Sequence, residues 1–290
     1  MSGSAGAPLA LARSFLFVPA TRPERFAKAL VSGADAVIID LEDAVAPGEK
    51  AQARQGLAQA WTGLSVAERA RVLVRVNAGH TAWHGDDLNL LVGLGVAGVV
   101  LAKAEHSAQL SHVAAVLGSA CALVPLIESV AGLDAADALA RCPQVLRLAF
   151  GNLDFQADAG LACGPDEAEL TAVRLAVLLA SRRAQLPSPI DGVTANTQDT
   201  AQLARDLQRS RSGGFGARLC IHPAQVAAVN AAFTPSPAEI DWARRVLAAG
   251  AAAGGGVVSL DGRMVDAPVL LLAQRTLARA AQRHDRPDHE

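Results

Sequence analysis

Eight short runs rich in aliphatic and β-branched residues recur along the chain, and a longer amphipathic stretch follows each of them. Strands that alternate with helices in this way form parallel βα units. The predicted strands are Ser14–Ala20, Ala36–Glu42, Arg71–Asn77, Gly98–Ala104, Cys121–Glu128, Leu146–Asn152, Pro189–Val193 and Ala217–His222. The predicted helices are Pro23–Ser32, Glu49–Trp61, Asp86–Gly93, Ser107–Leu117, Val130–Arg141, Asp166–Gln185, Thr200–Arg211 and Pro223–Ala231. Eight such units predict an α/β fold closed as a (β/α)₈ barrel.

An open, doubly wound sheet is the other fold that alternating strands and helices could form. No GxGxxG motif follows the first predicted strand, and a count of eight units favours the barrel. A chain of 290 residues, 51% of them hydrophobic, can bury one large core. We therefore expect a catalytic TIM barrel over residues 1–232.

Residues 233–290 are more than a barrel needs. They contain the stretch Ser236–Ala253, a glycine run at Gly254–Gly256, a strand-like Val257–Leu260 and a last helix from Val269 to about His284. The glycine run is a natural flexible joint. We expect a helical C-terminal extension that caps the barrel or packs on a neighbouring subunit.

The charge pattern excludes several classes of partner. The chain has 26 basic and 28 acidic residues, mixed along its length, for a net charge of −2. This balance gives no basic surface for nucleic acid or an anionic membrane. No apolar run is long enough for a membrane span, and the first residues lack the basic region of a secretory signal. We expect a soluble, cytoplasmic protein whose cysteines, Cys121, Cys142, Cys163 and Cys220, are reduced, buried thiols.

Two carboxylates stand at the ends of neighbouring predicted strands, where a barrel carries its catalytic residues. Glu128 ends the run CALVPLIE, and Asp154 lies two residues beyond LRLAFGN. Two oxygen ligands with open positions suit Mg²⁺, with Mn²⁺ as the other possibility. Each carboxylate could instead cap the helix that follows it.

A buried arginine is expected in the third strand, at Arg75 of VLVRVN. Burying a guanidinium is costly unless it pairs with a carboxylate or an anionic ligand, and Asp40, Glu42 or Asp43 on strand two offers an internal pair. From the residues alone, Arg22 and Lys28 in the first loop and helix are solvated surface charges. His222 is expected to satisfy buried backbone groups, and the spacing of His80 and His84 predicts no zinc site.

Eight segments of the chain, taken in order, match one known pattern. They are FVPATRPERFAKAL, DAVIIDLEDAVAPGEKAQAR, VRVNAGHTAWHGDDL, VVLAKAE, PLIESVAGL, AFGNLDFQADAG, GFGARLCIHPAQV and DGRMVDAP. These segments resemble the citrate lyase β-subunit-like group of the HpcH/HpaI aldolase superfamily, which includes malyl-CoA and citramalyl-CoA lyases. The resemblance covers nearly the whole chain.

The resemblance implies specific roles. Glu128 and Asp154 match the family's Mg²⁺ ligands, and Arg75 matches its substrate-binding arginine. The resemblance also implies that Glu128 contributes to the substrate site. The resemblance implies contacts to CoA phosphates or nearby substrate groups for Arg22 and Lys28. Asp261 matches an acid–base aspartate on a tail that folds over a neighbouring subunit of a homo-oligomer, a trimer or hexamer. Asp266 is the competing candidate.

The implied activity is reversible, Mg²⁺-dependent cleavage of a 3-hydroxy-3-carboxyacyl-CoA, such as citramalyl-CoA or malyl-CoA, into acetyl-CoA and pyruvate or glyoxylate. The alternatives are a lyase subunit acting on an acyl-carrier thioester, a malyl-CoA lyase with thioesterase activity, and a catalytically silent barrel that binds CoA esters. One departure bears on the substrate: family members often carry a Tyr-Asn pair after strand seven, where this chain has DGVTAN and no tyrosine at all.

Overall fold

A computed structural model describes residues 7–254 and 256–284 of the chain. The chain divides into two compact units, with the division between Asn230 and Ala231. The first unit carries the barrel, and the second carries the C-terminal helices and a small hairpin.

The predicted eight-stranded barrel is confirmed. Its strands are all parallel and pair in sequence order, and β8 returns to β1, as in the pairing of Phe15 with Leu219. The strands are β1 (Ser14–Pro19), β2 (Ala36–Asp40), β3 (Val72–Val76), β4 (Gly98–Leu101), β5 (Ala122–Ile127), β6 (Ala149–Phe150), β7 (Ile190–Asp191) and β8 (Ala217–Cys220).

The strands form where the sequence carries unbroken aliphatic runs, because a parallel sheet is covered on both faces. Every residue of β2, β3, β4 and β5 is buried. The core includes Phe15, Ile38, Leu73, Val124 and Leu126. Burying each such side chain stabilises the fold by about 1.5–3 kcal/mol, before the entropy of ordering it is counted.

Helices follow the strands as predicted, and three short or unpredicted ones are added. The helices of the barrel unit are α1 (Ala7–Ala10), α2 (Phe26–Leu30), α3 (Lys50–Trp61), α4 (Val66–Arg69), α5 (His84–Leu94), α6 (Ser107–Leu117), α7 (Val130–Ala140), α8 (Asn152–Ala159), α9 (Thr171–Arg183), α10 (Thr200–Ser212) and α11 (Val226–Phe233), the last of which crosses into the second unit. Ser129 caps α7 and Asp199 caps α10 through side-chain acceptors.

The sixth strand is shorter than predicted, because the chain leaves it at Gly151 and enters α8 at once. The prediction had extended the strand to Asn152 and placed no helix there. Helix α8 has only eight residues and ends at Gly160, which takes the left-handed conformation at φ 66°. This early turn brings the first residues of α8 to the rim of the barrel.

A buried ionic cluster joins β7 and β8 to helices α9 and α10. The Asp191 carboxylate forms ion pairs with Arg174 at 3.0 Å and Arg218 at 3.3 Å, and it accepts a hydrogen bond from the hydroxyl of Ser210 at 2.5 Å. Burial alone would raise the pKa of Asp191, but Arg218 and Arg174 outweigh it and lower that pKa below its ordinary value. Asp191 therefore stays ionised in the folded barrel.

The second unit packs two helices and a hairpin around its own small core. Its elements are α12 (Pro237–Ala252), β9 (Val258–Leu260), β10 (Arg263–Val265) and α13 (Ala267–His284). Asp261 and Gly262 form the turn of the hairpin with φ of 50° and 73°, a left-handed pair typical of a two-residue turn. Across the described ranges, no helix has the length and apolarity to cross a membrane.

Candidate active site

A cavity of about 400 Å³ opens at the carboxyl ends of the barrel strands. Its polar lining residues are Asp40, Asp43, Arg75, Glu128, Asn152 and Asp154, and its apolar ones include Phe17, Leu126, Val193, Leu219 and Ile221. The structure thus brings together three residues singled out from the sequence: Arg75, Glu128 and Asp154. Catalytic sites of such barrels lie at this end.

Arg75 is held by acidic residues at the end of β2. Its Nε and Nη2 donate to the two carboxylate oxygens of Asp40 at 2.7 and 2.6 Å, and its Nη1 lies 3.0 Å from Glu42 Oε2. The guanidinium also stacks 4.8 Å from the centre of the Phe17 ring. Burial acts to lower the pKa of Arg75, but Asp40 and Glu42 outweigh it and raise that pKa above its ordinary value.

The carboxylate of Asp40 is itself fixed by the backbone, since it accepts the N–H groups of Glu42 at 2.9 Å and Ala44 at 3.0 Å. The internal ion pair expected for Arg75 is therefore present. Because Asp40 takes one edge of the guanidinium, the Nη1 of Arg75 is left for Glu42, for Asp43 at 3.6 Å and for the cavity. A preoriented cation at this point can stabilise negative charge on a bound molecule.

Glu128 is almost fully buried, with 2% of its surface exposed. Its Oε1 accepts the backbone N–H of Lys103 at 2.7 Å. A Cβ on Gly151 would lie 2.7 Å from its Oε2, so only glycine leaves room for this carboxylate. Burial raises the pKa of Glu128 to about 8, Glu42 and Asp154 act in the same direction, and Arg75 opposes them.

Asp154 lies in the first turn of α8 and is half-buried. The helix-cap interpretation of the two carboxylates is wrong in both places. Ser129, not Glu128, caps α7, and the N-cap of α8 is Gly151, which has no side chain to offer. Both carboxylates are therefore available at the cavity.

The residues present fit a divalent cation that prefers oxygen. Glu128 is a buried acid whose pKa is raised mainly by loss of water, and a cation beside it would favour its ionised form. Mg²⁺ usually binds through one or two carboxylates and keeps several waters. Among residues 7–254 and 256–284, no cluster of three or more His, Cys, Asp and Glu could form a closed site. The arrangement suits an open Mg²⁺ or Mn²⁺ site rather than zinc.

Arg22 and Lys28 are both exposed and do not line this cavity. Arg22 pairs with Glu24 at 2.6 Å, an exposed ion pair that contributes little to stability. The structure neither brings these two cations into the cavity nor gives them a buried partner.

The two aspartates proposed for the tail differ in their surroundings. Asp261 stands at the exposed hairpin turn and pairs with Arg245 at 2.5 Å. Asp266 accepts the backbone N–H of Val269 at 3.3 Å, in the first turn of α13. Each carboxylate therefore has a local partner, an exposed ion pair for Asp261 and a helix-capping contact for Asp266.

The expectation for His222 is wrong, and the one for the buried cysteines is confirmed for two of the four. His222 is exposed, and its Nδ1 accepts the N–H of Ala224 at 3.2 Å, so it caps a turn at the surface instead of satisfying buried groups. Cys121 and Cys220 are buried as expected, and burial raises the pKa of each thiol to about 12. Cys142 and Cys163 are only half-buried.

From the sequence, Asn152 is one of the polar residues at the strand ends but has no assigned role, and Gly151 is not a candidate site residue. Asn152 is 1% exposed and lines the cavity beside Asp154. The one available signal was the GN pair directly after an apolar strand, where a glycine permits a close approach of two chain segments.

Comparison with known proteins places the chain. The model of the HpcH/HpaI aldolase/citrate lyase family matches residues 13–223. A citrate lyase subunit beta-like protein of Deinococcus radiodurans is 38% identical over 95% of this chain and 99% of its own length. A (3S)-malyl-CoA thioesterase of Cereibacter sphaeroides is 34% identical over 92% of this chain and 94% of its own.

A solved structure agrees with the family model and with the two relatives. The protein CitE of Mycobacterium tuberculosis, in complex with magnesium, acetoacetate and coenzyme A, superposes with a TM-score of 0.82 at 36% identity. The match covers 93% of this chain and 98% of that one. The resemblance drawn from the eight sequence segments is confirmed, and the chain belongs to the HpcH/HpaI aldolase/citrate lyase family.

Proposed function

We propose that this protein is a Mg²⁺-dependent carbon–carbon lyase that cleaves a 3-hydroxy-3-carboxyacyl-CoA reversibly into acetyl-CoA and a 2-keto acid. The observation that supports this most is the meeting of Glu128, Asp154 and Arg75 around one cavity. The magnesium, acetoacetate and coenzyme A bound to the Mycobacterium tuberculosis relative support the same class of ligand. We also propose that the protein acts on this substrate in the cytoplasm.

Glu128 and Asp154 would hold the metal. When bound there, Mg²⁺ supplies a Lewis acid that acidifies the substrate hydroxyl and polarises the ketone that forms from it. Asp40 holds Arg75 in a fixed orientation, and the guanidinium stabilises negative charge that develops on the substrate. Phe17, Leu126 and Leu219 exclude water from the same cavity and so strengthen these interactions.

As the ketone forms, the hydroxyl proton passes to a water molecule. The electrons of the broken carbon–carbon bond move onto the α-carbon of the acetyl thioester, as an enolate. Asp261, from the tail of a neighbouring subunit, or a water molecule then delivers a proton to that carbon. In the condensation direction the same groups act in reverse. A role for Asp261 across subunits requires a homo-oligomer, for which we propose a trimer or hexamer. We also propose that Arg22 and Lys28 bind the CoA phosphates, outside the cavity itself.

Citramalyl-CoA is our first choice of substrate, and malyl-CoA follows closely. The two differ by one methyl group, which a pocket distinguishes by only about 1–3 kcal/mol. A second activity, hydrolysis of a malyl thioester, is favoured by the similarity to the Cereibacter sphaeroides thioesterase. A carrier-protein thioester and a catalytically silent barrel are the remaining alternatives.

The test is a panel of citramalyl-CoA, malyl-CoA, methylmalyl-CoA and citryl-CoA, assayed for acetyl- or propionyl-CoA release with Mg²⁺ and then with a chelator. We expect metal-dependent release from at least one member. Free CoA without acyl-CoA would favour the thioesterase. Silence across the panel would contradict the proposal and favour a carrier-protein substrate or a non-catalytic barrel.

A further inference from the structure

Glu167 lies between α8 and α9, outside the active-site cavity, in an unusual backbone conformation. Its φ of 46° is in the left-handed region, which L side chains rarely adopt. The side chain points inward and is only 15% exposed. A carboxylate held in this way depends on its partners.

The two oxygens of Glu167 face two different sets of partners. Oε2 accepts from the guanidinium groups of Arg174 and, at 2.9 Å, Arg209. Oε1 accepts from the amide nitrogens of Asn152 at 2.8 Å and Gln156 at 3.4 Å. One carboxylate thus ties two cations of α9 and α10 to two amides of α8.

Besides its contact with Glu167, the Asn152 side chain is held by two hydrogen bonds to the backbone of Val193. Its Nδ2 also donates to the carbonyl of Val193 at 3.1 Å, and its Oδ1 accepts the Val193 N–H at 2.8 Å. A Cβ on Gly192 would lie 2.0 Å from that Oδ1, so glycine is needed there. Because Glu167 accepts and Val193 donates, the orientation of the amide is determined.

The geometry of α8 connects these contacts to the cavity. Asn152 and Gln156 are four residues apart and share one face of the helix, whereas Asp154 lies about 200° around the axis from Asn152. Asn152 and Asp154 both line the cavity, which the first turn of α8 meets. Fixing one face of this short helix therefore sets the position of the carboxylate on the other.

We propose that Glu167 is a positioning residue for Asp154, acting through Asn152 and Gln156. This inference rests on the proposed function, in which Asp154 is a metal ligand. Replacing Glu167 by Gln keeps the size of the side chain but removes the charge between Arg174 and Arg209 and places an amide against the amides of α8. Groups hydrogen-bonded directly to a metal ligand typically change metal affinity by about 10- to 100-fold when they are replaced. Glu167 contacts the helix that carries Asp154 rather than Asp154 itself, so we take the lower end of this range, about tenfold.

The experiment measures Mn²⁺ affinity by electron paramagnetic resonance on the full chain, without substrate, together with the melting temperature. The variant is Glu167→Gln. Glu169→Gln is the matched control, because Glu169 is exposed in the same segment and has no contact with α8. Ser210→Ala is the stability control, because Ser210 belongs to the buried cluster around Asp191 but not to α8.

We expect Glu167→Gln to bind Mn²⁺ at least tenfold more weakly, while both controls bind as the wild type does, even where Ser210→Ala melts earlier. Equal affinity in wild type and Glu167→Gln would overturn the positioning role and leave the proposed function intact. No Mn²⁺ binding by the wild type would overturn both. Should Glu167→Gln not fold, Gln156→Leu removes one of the two amide contacts and is expected to weaken Mn²⁺ binding, and unchanged affinity there would overturn the inference.

Discussion

Replacing Gly151 by alanine tests the cavity at its tightest contact. An added Cβ would lie 2.6 Å from Glu128 Cβ and 2.7 Å from its Oε2, where ordinary contact begins at 3.4 Å. Gly151 has φ −97° and ψ 85°, so the strain of the variant comes from this overlap rather than from a left-handed backbone. Glu128 cannot withdraw easily, because it is buried and its Oε1 is held by the N–H of Lys103.

The overlaps are about 0.8 Å with Glu128 Cβ and about 0.7 Å with its Oε2, so the whole Glu128 side chain must shift, carboxylate included. Overpacking of this kind costs about 1–3 kcal/mol of stability. The displaced carboxylate no longer meets the cation as in the wild type, and we expect a loss of metal-binding free energy of similar size. Since 1.4 kcal/mol corresponds to a factor of about ten, Mn²⁺ or Mg²⁺ should bind roughly 5- to 150-fold more weakly. Isothermal titration of the metal into the variant measures this directly.

The matched control is Gly85→Ala, because a Cβ on Gly85 meets nothing within 4 Å and the residue lies inside helix α5. We expect this control to bind metal as the wild type does and to melt at the same temperature or higher. Wild-type metal affinity in Gly151→Ala would show that Glu128 does not hold the cation, and the proposed site would have to be abandoned.

Three further results are expected. Arg75→Lys keeps the charge but loses the two-point contact with Asp40, so kcat should fall by about 10²- to 10³-fold with the fold retained; near-normal kcat would remove Arg75 from the chemistry. Asp191→Asn should destabilise the fold by about 3–5 kcal/mol in urea unfolding. Folding lowers the pKa of Asp191. Its contribution to the free energy of unfolding is therefore full above the ordinary pKa of about 3.9 and disappears as the pH falls through the lower pKa of the folded state. An Asp191→Asn variant as stable as the wild type at pH 7 would contradict this. Co-expressed Asp261→Asn and Arg75→Lys chains should regain activity in mixed oligomers if the tail acts across subunits, and no recovery would place Asp261 within its own chain or outside the reaction.

The sequence predicted the barrel well because its strands are buried on both faces and therefore carry unbroken aliphatic runs, as in AVIID and ALVPLI. It also predicted that Arg75 would pair with acidic residues of strand two, since a buried guanidinium has few other solutions. The family resemblance then supplied the roles that residue types alone left open.

Other parts of the site could not be predicted, for physical reasons. Helix α8 has only eight residues, half of them polar, so it has no strong apolar period, and the sequence predicts a strand through Asn152 instead. The link from Glu167 to Asn152 joins residues fifteen apart through a left-handed backbone turn that no local motif announces. Such contacts follow from tertiary packing and become visible only in the fold.

The central claim is metal-dependent carbon–carbon cleavage at Glu128 and Asp154, and one measurement tests it most directly. Wild type and a Glu128→Gln, Asp154→Asn double variant, both checked for folding, are given citramalyl-CoA and Mg²⁺, and acetyl-CoA and pyruvate are quantified together. We expect the wild type to release the two products in equal amounts and the variant to release neither at any Mg²⁺ concentration. Equal release by the variant, or release by the wild type that persists in a chelator, would contradict the claim.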